Sequence, residues 1–503
     1  MMIITNDIPY TMMMTTLLRK MMLTLLLSTS LLSASAAGKP WDNGALRVSD
    51  NQRFLQFTNG KPFFWLADTG WLLPQRLDRQ EAAGYLQQCA AAGFNVVQVQ
   101  VMDGVPSYNI YGQASLTNGW DMAAADPAGV YSYWDHLDHI VRTAAQQGIY
   151  IGMVPIWGTL VKAGLINAAQ ARDYGTFLGR RYKDCPNIVW IIGGDIQGDI
   201  HPEVWEALAT AIKAADGNHL MTYHPRGRYT SARWWSKAAW LDFHMFQSGH
   251  RKYGQRMGNA DYPIPDNTEE DNWMYVDSTW SHRPVKPVLD GEPSYEAIPK
   301  GLHDPDEPLW QDHDVRRYAY WSVFAGSCGH TYGHNAVMQM VKPGCPTGYG
   351  RMGEVKNWYE GQRDPGYRQM QWLKDLMLAM PYFDRVPDQS VILGHNGTRY
   401  DRLIATRGTD YLMVYDYNGN SIEVALGKIA GKRKNLWWMD AATGHLTYLG
   451  QTADKTYRYA PQRDDRGIHD GVLIAIDATK SYLGREQLAI GGERMVRQRD
   501  LNE

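Results

Sequence analysis

Apolar residues in the first part of the chain fall into short runs that alternate with longer amphipathic stretches. The short runs, many of them β-branched, predict strands at residues 63–67, 95–101, 149–154, 188–192, 220–222, 241–246, 288–289 and 329–332. The amphipathic stretches predict helices at residues 80–92, 131–147, 168–182, 202–215, 270–280 and 315–325. Strands that alternate with helices indicate a parallel α/β sheet, and eight such units fit residues 37–383 as a (β/α)8 TIM barrel.

An open, doubly wound sheet is the alternative arrangement of the same units. Its nucleotide-binding form needs a glycine-rich loop directly after a strand. The chain has no G-x-x-x-x-G-K-[ST] motif, and the G-x-G-x-x-G spacing at residues 348–353 follows a loop rich in Pro and Gly. We therefore expect no nucleotide and no other cofactor.

The pattern changes after residue 387, where short alternating runs are separated by turn-forming groups. These runs predict strands at residues 403–406, 411–417, 422–426, 435–439, 456–459 and 472–476. Strands at this spacing are typical of a β-sandwich, which we place at residues 384–484. The charged stretch at residues 485–503 reads as a frayed tail.

The amino terminus has the pattern of a secretory signal. Arg19 and Lys20 precede the apolar run 21–32, and Ala34-Ser35-Ala36-Ala37 has the small residues of a cleavage site. We expect residues 1–36 to be removed and the mature protein to be periplasmic or extracellular. No other apolar stretch is long enough to span a membrane.

Export permits disulfides among the four cysteines, and four cysteines allow three pairings. The sequence does not choose among these pairings. Cys328 and Cys345 are near each other in the chain, so a local bridge between them is one option; the others are Cys89 and Cys185.

Composition narrows the class of partner. A chain with 44% hydrophobic and 20% charged residues is globular, and a net charge of -3 gives no reason to expect nucleic acid. The chain has 19 Trp and 30 Tyr against 10 Phe. Because Trp and Tyr combine an apolar face with a polar edge, this excess suits clefts that bind sugars, with an aromatic-rich core as the alternative.

Two carboxylates stand out at the predicted ends of strands. Asp195 follows the fourth strand and Glu292 the seventh, and each comes after glycine. Catalytic groups of TIM barrels lie at the carboxyl ends of strands, so these two should face each other across the barrel mouth. Glycoside hydrolysis needs such a pair, one proton donor and one nucleophile or base. Capping or ion pairing would explain either residue alone.

Other polar groups near strand ends are candidate sugar contacts: Asp68, Gln100, Trp157, His224, His244, Tyr295, Tyr332 and His334. Glu296 is the main rival of Glu292, and Asp290 lies one residue early on its strand. His330 and His334 are candidate metal ligands because they are two histidines four residues apart. They lack the H-E-x-x-H spacing on a helix, so we predict no metal.

The run Gly60–Trp71 (GKPFFWLADTGW) resembles the opening signature of the apiosidase-like glycoside hydrolases, family 140 and its relatives. So do residues 93–98, the turn at 193–195 and the triplet at 290–292. Residues 437–444 resemble the collagen-binding-type sandwich that follows the barrel in this family, although Ala441 stands where Pro is common. Related barrels more often have Asn-Glu at the end of the fourth strand, where this chain has Gly194 and Asp195.

This resemblance implies a retaining glycosidase from the exported barrels of gut Bacteroidetes, with Asp195 as acid/base and Glu292 as nucleophile. The activity best known in the family is release of apiose-linked side chains from the pectin rhamnogalacturonan II. Two alternatives stay open from the residues. One is a non-catalytic carbohydrate-binding protein or adhesin that binds through the sandwich, and the other is a metal-dependent barrel hydrolase. The sequence indicates neither the linkage, nor exo or endo action, nor the oligomeric state.

Overall fold

The computed structural model describes residues 38–255, 269–302, 304–345, 355–461 and 470–483. The predicted signal at residues 1–36, the glycine-rich run at 348–353 and the tail at 485–503 lie outside the described residues. The described residues 38–43 belong to a separate unit, in which Pro40–Asn43 makes one 3-10 turn. The account below concerns the unit from residue 44 onward.

A small antiparallel sheet precedes the barrel and consists of β1 (Leu46–Val48), β2 (Leu55–Phe57) and β3 (Pro62–Phe63). The barrel strands then follow in chain order: β4 (Trp65–Thr69), β5 (Val96–Gln100), β6 (Tyr150–Val154), β7 (Ile188–Ile196), β8 (Met221–Pro225), β10 (His244–Gln247), β11 (Val288–Asp290) and β12 (Gly329–Tyr332). A short strand, β9 (Tyr229–Thr230), pairs antiparallel with β10.

The sheet order β8-β7-β6-β5-β4-β12-β11-β10-β9 brings the eight parallel strands around a barrel. Hydrogen bonds join its two ends: the Asp242 amide donates to the Met221 carbonyl over 2.8 Å, and the Thr222 hydroxyl donates to the Phe243 carbonyl over 2.7 Å. The eight predicted strands all form, and the predicted TIM barrel is confirmed.

Two of the longer barrel helices start at clear side-chain caps. Asp78 and Ser132 cap the helices Arg79–Ala91 and Tyr133–Gln147 with reciprocal capping boxes. The remaining helices are Leu73–Arg76, Gly158–Lys162, Ala168–Tyr182, Pro202–Ala215, Ala232–Trp235, Trp273–Trp280, Asp312–Phe324, Asn335–Met338, Trp358–Gly361 and Pro365–Ala379. The helix Pro365–Ala379 was not among the sequence predictions.

The C-terminal domain has two layers. Its main sheet has the order β13-β14-β15-β20-β17-β18, and β16 pairs with β19. The strands are β13 (Val386–Pro387), β14 (Ile404–Arg407), β15 (Tyr411–Asp416), β16 (Ile422–Val424), β17 (Lys434–Asp440), β18 (Leu446–Thr452), β19 (Tyr457–Tyr459) and β20 (Gly471–Asp477). Buried residues of both layers share one apolar core, which is the predicted sandwich. The strand β18 was not predicted.

Buried ion pairs and stacked rings join this domain to the barrel. Arg316, on the barrel helix Asp312–Phe324, lies 2.6 Å from a carboxylate oxygen of Asp470, and both side chains are almost fully buried. Tyr320 of the same helix stacks on Tyr415 of β15 with ring centroids 4.6 Å apart. A pair of charges buried in this way fixes one docking geometry, because any other would leave a charge unpaired.

The four cysteines are all free, so the bridge considered between Cys328 and Cys345 is not formed. Cys89 and Cys328 are both buried, and the Cys89 thiol accepts a 3.1 Å hydrogen bond from the Tyr367 hydroxyl. Among the described helices, none is both long and apolar enough to cross a membrane.

Candidate active site

A distorted turn at the end of β7 delivers Asp195. Gly193, Gly194 and Asp195 all have positive φ, at 91°, 113° and 50°, and the pairing with β8 shifts register after Gly193. A Cβ on Gly194 would lie 2.5 Å from the Trp157 ring, so a larger residue does not fit. A left-handed φ at a non-glycine residue is strained, and such strain is found mainly at functional sites.

Glu292 stands two residues beyond the end of β11. A Cβ on Gly291 would lie 2.3 Å from the Met245 sulfur, which explains the glycine before the carboxylate. The Glu292 carbonyl accepts a 3.0 Å hydrogen bond from the Gly249 amide. The loops that follow β10 and β11 are therefore tied together at this residue.

Two histidines hold the carboxylate of Glu292. The Nε2 atom of His250 lies 3.2 Å from Oε1, and the Nε2 atom of His224 lies 3.2 Å from Oε2 with poorer alignment. Burial alone would raise the pKa of Glu292, but hydrogen bonding and charge from His224 and His250 outweigh it and lower this pKa to about 2. Glu292 is therefore ionised in the folded protein.

Asp195 has the opposite electrostatic setting. Burial and the neighbouring Glu292 carboxylate raise the pKa of Asp195 to about 6. Its carboxylate is 3.4 Å from the Gly227 amide, and its own amide donates to Nδ1 of His224 over 3.3 Å. The other ring nitrogen of His224, Nε2, faces Glu292. One imidazole thus contacts both the backbone amide of Asp195 and the carboxylate of Glu292.

Both carboxylates line a cleft of about 290 Å³ at the mouth of the barrel. Aromatic rings form one wall: Trp71 lies 5.2 Å from Trp157, and Tyr295 accepts a 3.2 Å hydrogen bond from the Trp71 indole. Burial and the nearby Glu292 charge raise the pKa of Tyr295, so this phenol stays protonated. Flat apolar faces beside two carboxylates suit a sugar ring.

Basic residues also line the cleft, and they were not among the residues predicted from the sequence. Arg226, Arg228 and Arg251 line the cleft, together with Gln247, His250 and Gln255. The side chain of Arg228 is 3% exposed, and its Nε and Nη1 atoms have no hydrogen-bond partner among the described residues. The available signal was the Arg-Gly-Arg sequence directly after β8.

Three of the predicted sugar contacts reach the site. Trp157 and Tyr295 line the cleft. His224 is fully buried and lies behind Glu292, where it contacts both carboxylate-bearing residues. Gln100 is buried, and it is not among the described residues of the cleft wall.

Four other predicted contacts lie away from the described cleft. Asp68 faces the helix layer, where its carboxylate accepts hydrogen bonds from Tyr85 (2.7 Å) and Tyr367 (3.1 Å). His244 is the first residue of β10 and so lies at the opposite end of the barrel. The prediction that Asp68 and His244 contact the sugar is therefore corrected. Successive side chains of a strand face opposite sides of the sheet, and only the last one or two residues of a strand reach the barrel mouth.

Tyr332 and His334 are also placed elsewhere. The Tyr332 hydroxyl donates to Glu296, and His334 caps the helix Asn335–Met338 while its Nε2 atom lies 2.8 Å from Asp364. Glu296 is thereby engaged by Tyr332 and by the Gly366 amide, which leaves Glu292 as the carboxylate of this loop that lines the cleft.

Asp290, the other acid considered, accepts hydrogen bonds from Ser248 and Asn272 and is fully buried. His330 and His334 do not converge on a shared centre. Within the described ranges, no group of His, Cys, Asp and Glu side chains is arranged to hold a metal ion.

Comparison with known proteins follows the same division of the chain. Residues 49–384 match the family model described as "Apiosidase-like, catalytic domain", and residues 386–476 match "Putative collagen-binding domain of a collagenase". A solved structure titled "Glycoside hydrolase" is 58% identical, with a TM-score of 0.86, over 89% of this chain and 100% of its own. A structure from Bacteroides vulgatus, titled a glycoside hydrolase family 5, is 56% identical, with a TM-score of 0.86, over 89% of this chain and 97% of its own. No functionally curated protein matches the sequence.

Proposed function

The chain belongs to the apiosidase-like glycoside hydrolases, and on that premise we propose a retaining glycosidase that acts on pectin-type oligosaccharides of the plant cell wall. The observation that carries the proposal is the pair Asp195 and Glu292. They share one cleft, and their pKa values are pushed in opposite directions, to about 6 and about 2. Two carboxyl groups with such different pKa values can act as a proton donor and as an ionised nucleophile at the same pH.

In the first step Glu292 attacks the anomeric carbon while Asp195 protonates the oxygen of the leaving group. The glycosidic bond breaks and a covalent glycosyl-enzyme forms. Asp195, now a carboxylate, takes a proton from water, and this water releases the sugar from Glu292 with net retention. His224 and His250 keep Glu292 ionised and oriented for the attack.

Product stereochemistry tests the mechanism directly. Proton NMR during the first minutes of hydrolysis distinguishes an anomer with the configuration of the substrate from an inverted one. Initial release of the inverted anomer would contradict a nucleophilic role for Glu292 and would make it a general base.

Basic residues in the cleft support an acidic substrate. Arg226, Arg228 and Arg251 line a cleft of about 290 Å³, and Arg228 is buried with two donor atoms unpaired in the described structure. Buried guanidinium donors without a hydrogen-bond partner are costly, and a carboxylate from the ligand would accept a charge-assisted hydrogen bond from Arg228. Pectin is rich in uronic acids, which supply that carboxylate.

A substrate screen tests the specificity. Purified protein would be incubated with pectin-derived oligosaccharides, including apiose-bearing ones, and with neutral plant oligosaccharides, and the products identified by mass spectrometry. We expect cleavage in the acidic set, with apiose release as the reaction suggested by the family. Cleavage confined to neutral glycans would contradict the pectin assignment, and binding without cleavage would favour the carbohydrate-binding alternative.

We also propose export, on the basis of the basic, apolar and small-residue regions at residues 19–37. Cell fractionation with amino-terminal sequencing of the mature protein tests this. A mature terminus near residue 37 outside the cytoplasm is expected, and a full-length cytoplasmic protein would contradict export.

A further inference from the structure

The C-terminal domain contacts the segment of the barrel that carries His250. Its 3-10 turn Arg399–Asp401 places Tyr400 against Tyr253, with ring centroids 5.2 Å apart and an edge-to-face angle of 71°. The Arg399 guanidinium lies 4.9 Å from the centre of the Tyr253 ring. Tyr253 comes three residues after His250, in the segment 250–255 that forms one side of the cleft.

A buried carboxylate, Glu270, joins three parts of the molecule. It accepts a 2.8 Å hydrogen bond from the Tyr253 amide, bonds of 3.0 and 3.1 Å from the Tyr400 hydroxyl, and a 2.7 Å bond from Arg317. Glu270 is 1% exposed. Hydrogen bonds to a buried charge are stronger than those between neutral groups, so this carboxylate fixes the backbone at Tyr253.

The cation that balances Glu270 depends on the same domain. Arg317 is fully buried on the helix Asp312–Phe324, and its guanidinium lies 4.7 Å from the Tyr400 ring and 5.0 Å from the Tyr417 ring. Both rings belong to the C-terminal domain. They exclude water from the Arg317–Glu270 pair and thereby strengthen it.

Other contacts also hold the segment 250–255: Lys252 pairs with Glu307, the Tyr253 hydroxyl donates to Asp271 over 2.5 Å, and the Gly254 amide donates to Glu269 over 3.0 Å. The Gly301 amide donates to the His250 carbonyl over 2.9 Å, and the Gln255 side chain donates to the Gly301 carbonyl over 3.1 Å. At its start, the His250 imidazole reaches Glu292 over 3.2 Å. Because Tyr253 is three residues after His250 in this segment, a displacement of the backbone at Tyr253 would alter the position of His250 relative to Glu292.

We propose that the C-terminal domain is a positioning element of the active site. Tyr400 acts through Glu270 and Tyr253 to hold the segment 250–255, so that His250 stays within hydrogen-bond distance of Glu292. Tyr400 is a positioning residue, because it touches neither the cleft nor Glu292. This goes beyond the proposed glycosidase function, since it assigns the accessory domain a part in catalysis.

The test uses the full-length protein with Tyr400→Phe, which removes the hydroxyl and keeps the ring. We expect kcat to fall about tenfold, the lower end of the loss seen when a group that orients a functional side chain is removed. KM should stay within about twofold, because no cleft residue changes. The matched control is Tyr448→Phe in β18, where the hydroxyl donates to Asn435 on an exposed surface, and its kcat should not change.

A double-mutant cycle identifies the route. In a His250→Ala background, Tyr400→Phe should cause little further loss, because its effect passes through His250. Glu270→Gln is the second variant on the same route and should reproduce the loss in kcat. An unchanged kcat in Tyr400→Phe, or a full additional loss in the His250→Ala background, would overturn the proposal.

A crystal structure of Tyr400→Phe provides a readout that needs no substrate. The proposal expects the distance between His250 Nε2 and Glu292 Oε1 to lengthen beyond 3.5 Å. A retained distance near 3.2 Å would overturn the positioning role. This result is independent of whether the glycosidase mechanism is correct, so the two failures can be told apart.

Discussion

The Nε2 atom of His250 lies 3.2 Å from Oε1 of Glu292, at the point where the loops after β10 and β11 meet. With His224 on the other carboxylate oxygen, this contact keeps Glu292 ionised. Asp195, which shares His224 through its backbone amide, lies in the field of that negative charge and holds its proton more tightly. The pKa values of the two acids are therefore shifted in opposite directions, because the histidine rings lie against the carboxylate of Glu292.

Removing the charge of Glu292 should abolish turnover. Glu292→Gln keeps the size of the side chain but cannot form the glycosyl-enzyme, so we expect kcat to fall by a factor on the order of 10⁴ or more. Circular dichroism should show an intact fold. Glu203→Gln, at an exposed acid in the first turn of the helix Pro202–Ala215, is the control and should retain activity. Normal turnover in Glu292→Gln would contradict the assignment of Glu292 as the nucleophile.

The pH profile should have its basic limb near the pKa of Asp195. The reactive form needs Asp195 protonated and Glu292 ionised. Because the pKa values are about 6 and about 2, kcat/KM should fall above about pH 6 and should fall in acid only near pH 2. The residual activity of Asp195→Asn should lack the basic limb. If the basic limb persists in Asp195→Asn, a group other than Asp195 causes it and the prediction is wrong.

Asp195→Asn should also stabilise the folded protein at neutral pH. The pKa of Asp195 is raised from 3.8 to about 6, so above pH 6 the ionised side chain costs free energy in the fold; the Asn variant avoids about 1 to 3 kcal/mol of it. Below pH 3.8 the carboxyl is protonated in both the folded and unfolded states, and the difference should vanish. Urea unfolding at pH 7 and pH 3.5 measures it, and equal stability of the two proteins at pH 7 contradicts the prediction.

Arg228 should discriminate between acidic and neutral substrates. Arg228→Gln should lower kcat/KM for a uronic-acid oligosaccharide by about 10- to 150-fold, the equivalent of about 1.5–3 kcal/mol for a hydrogen bond to a charged group. For the same oligosaccharide with its carboxyl reduced to an alcohol, the loss should be small. Arg142→Gln, on an exposed helix face, is the matched control. Equal losses on both substrates would show that Arg228 does not read the carboxylate.

Asp68 should prove important for stability and not for binding. Its fully buried carboxylate accepts hydrogen bonds from Tyr85 and Tyr367 in the layer between barrel and helices. Asp68→Ala removes the carboxylate that accepts from both hydroxyls and leaves a buried gap, so we expect a loss of about 2–4 kcal/mol in the free energy of unfolding, with KM unchanged. A raised KM at unchanged stability would instead indicate that Asp68 binds the sugar.

The sequence by itself determined the eight barrel strands, most of the longer helices and the division into barrel and sandwich. These features rest on hydrophobic periodicity and turn residues, which are local properties. The sequence also placed Asp195 and Glu292 at the same end of the barrel, because all strands of a parallel barrel end at one face. The hydrophobic pattern did not predict the helix Pro365–Ala379 or the strand β18.

Tertiary structure decided which strand-end residues face the cleft and which loop residues join them. Asp68 and Glu292 look alike in sequence, yet one faces the helix layer and the other lines the cleft, because a shift of one residue along a strand reverses the side a side chain faces. His250 and Arg228 lie in loops without periodicity. Only the closure of the barrel brings His250 to Glu292, because a contact between residues far apart in the chain depends on the packing of the elements between them.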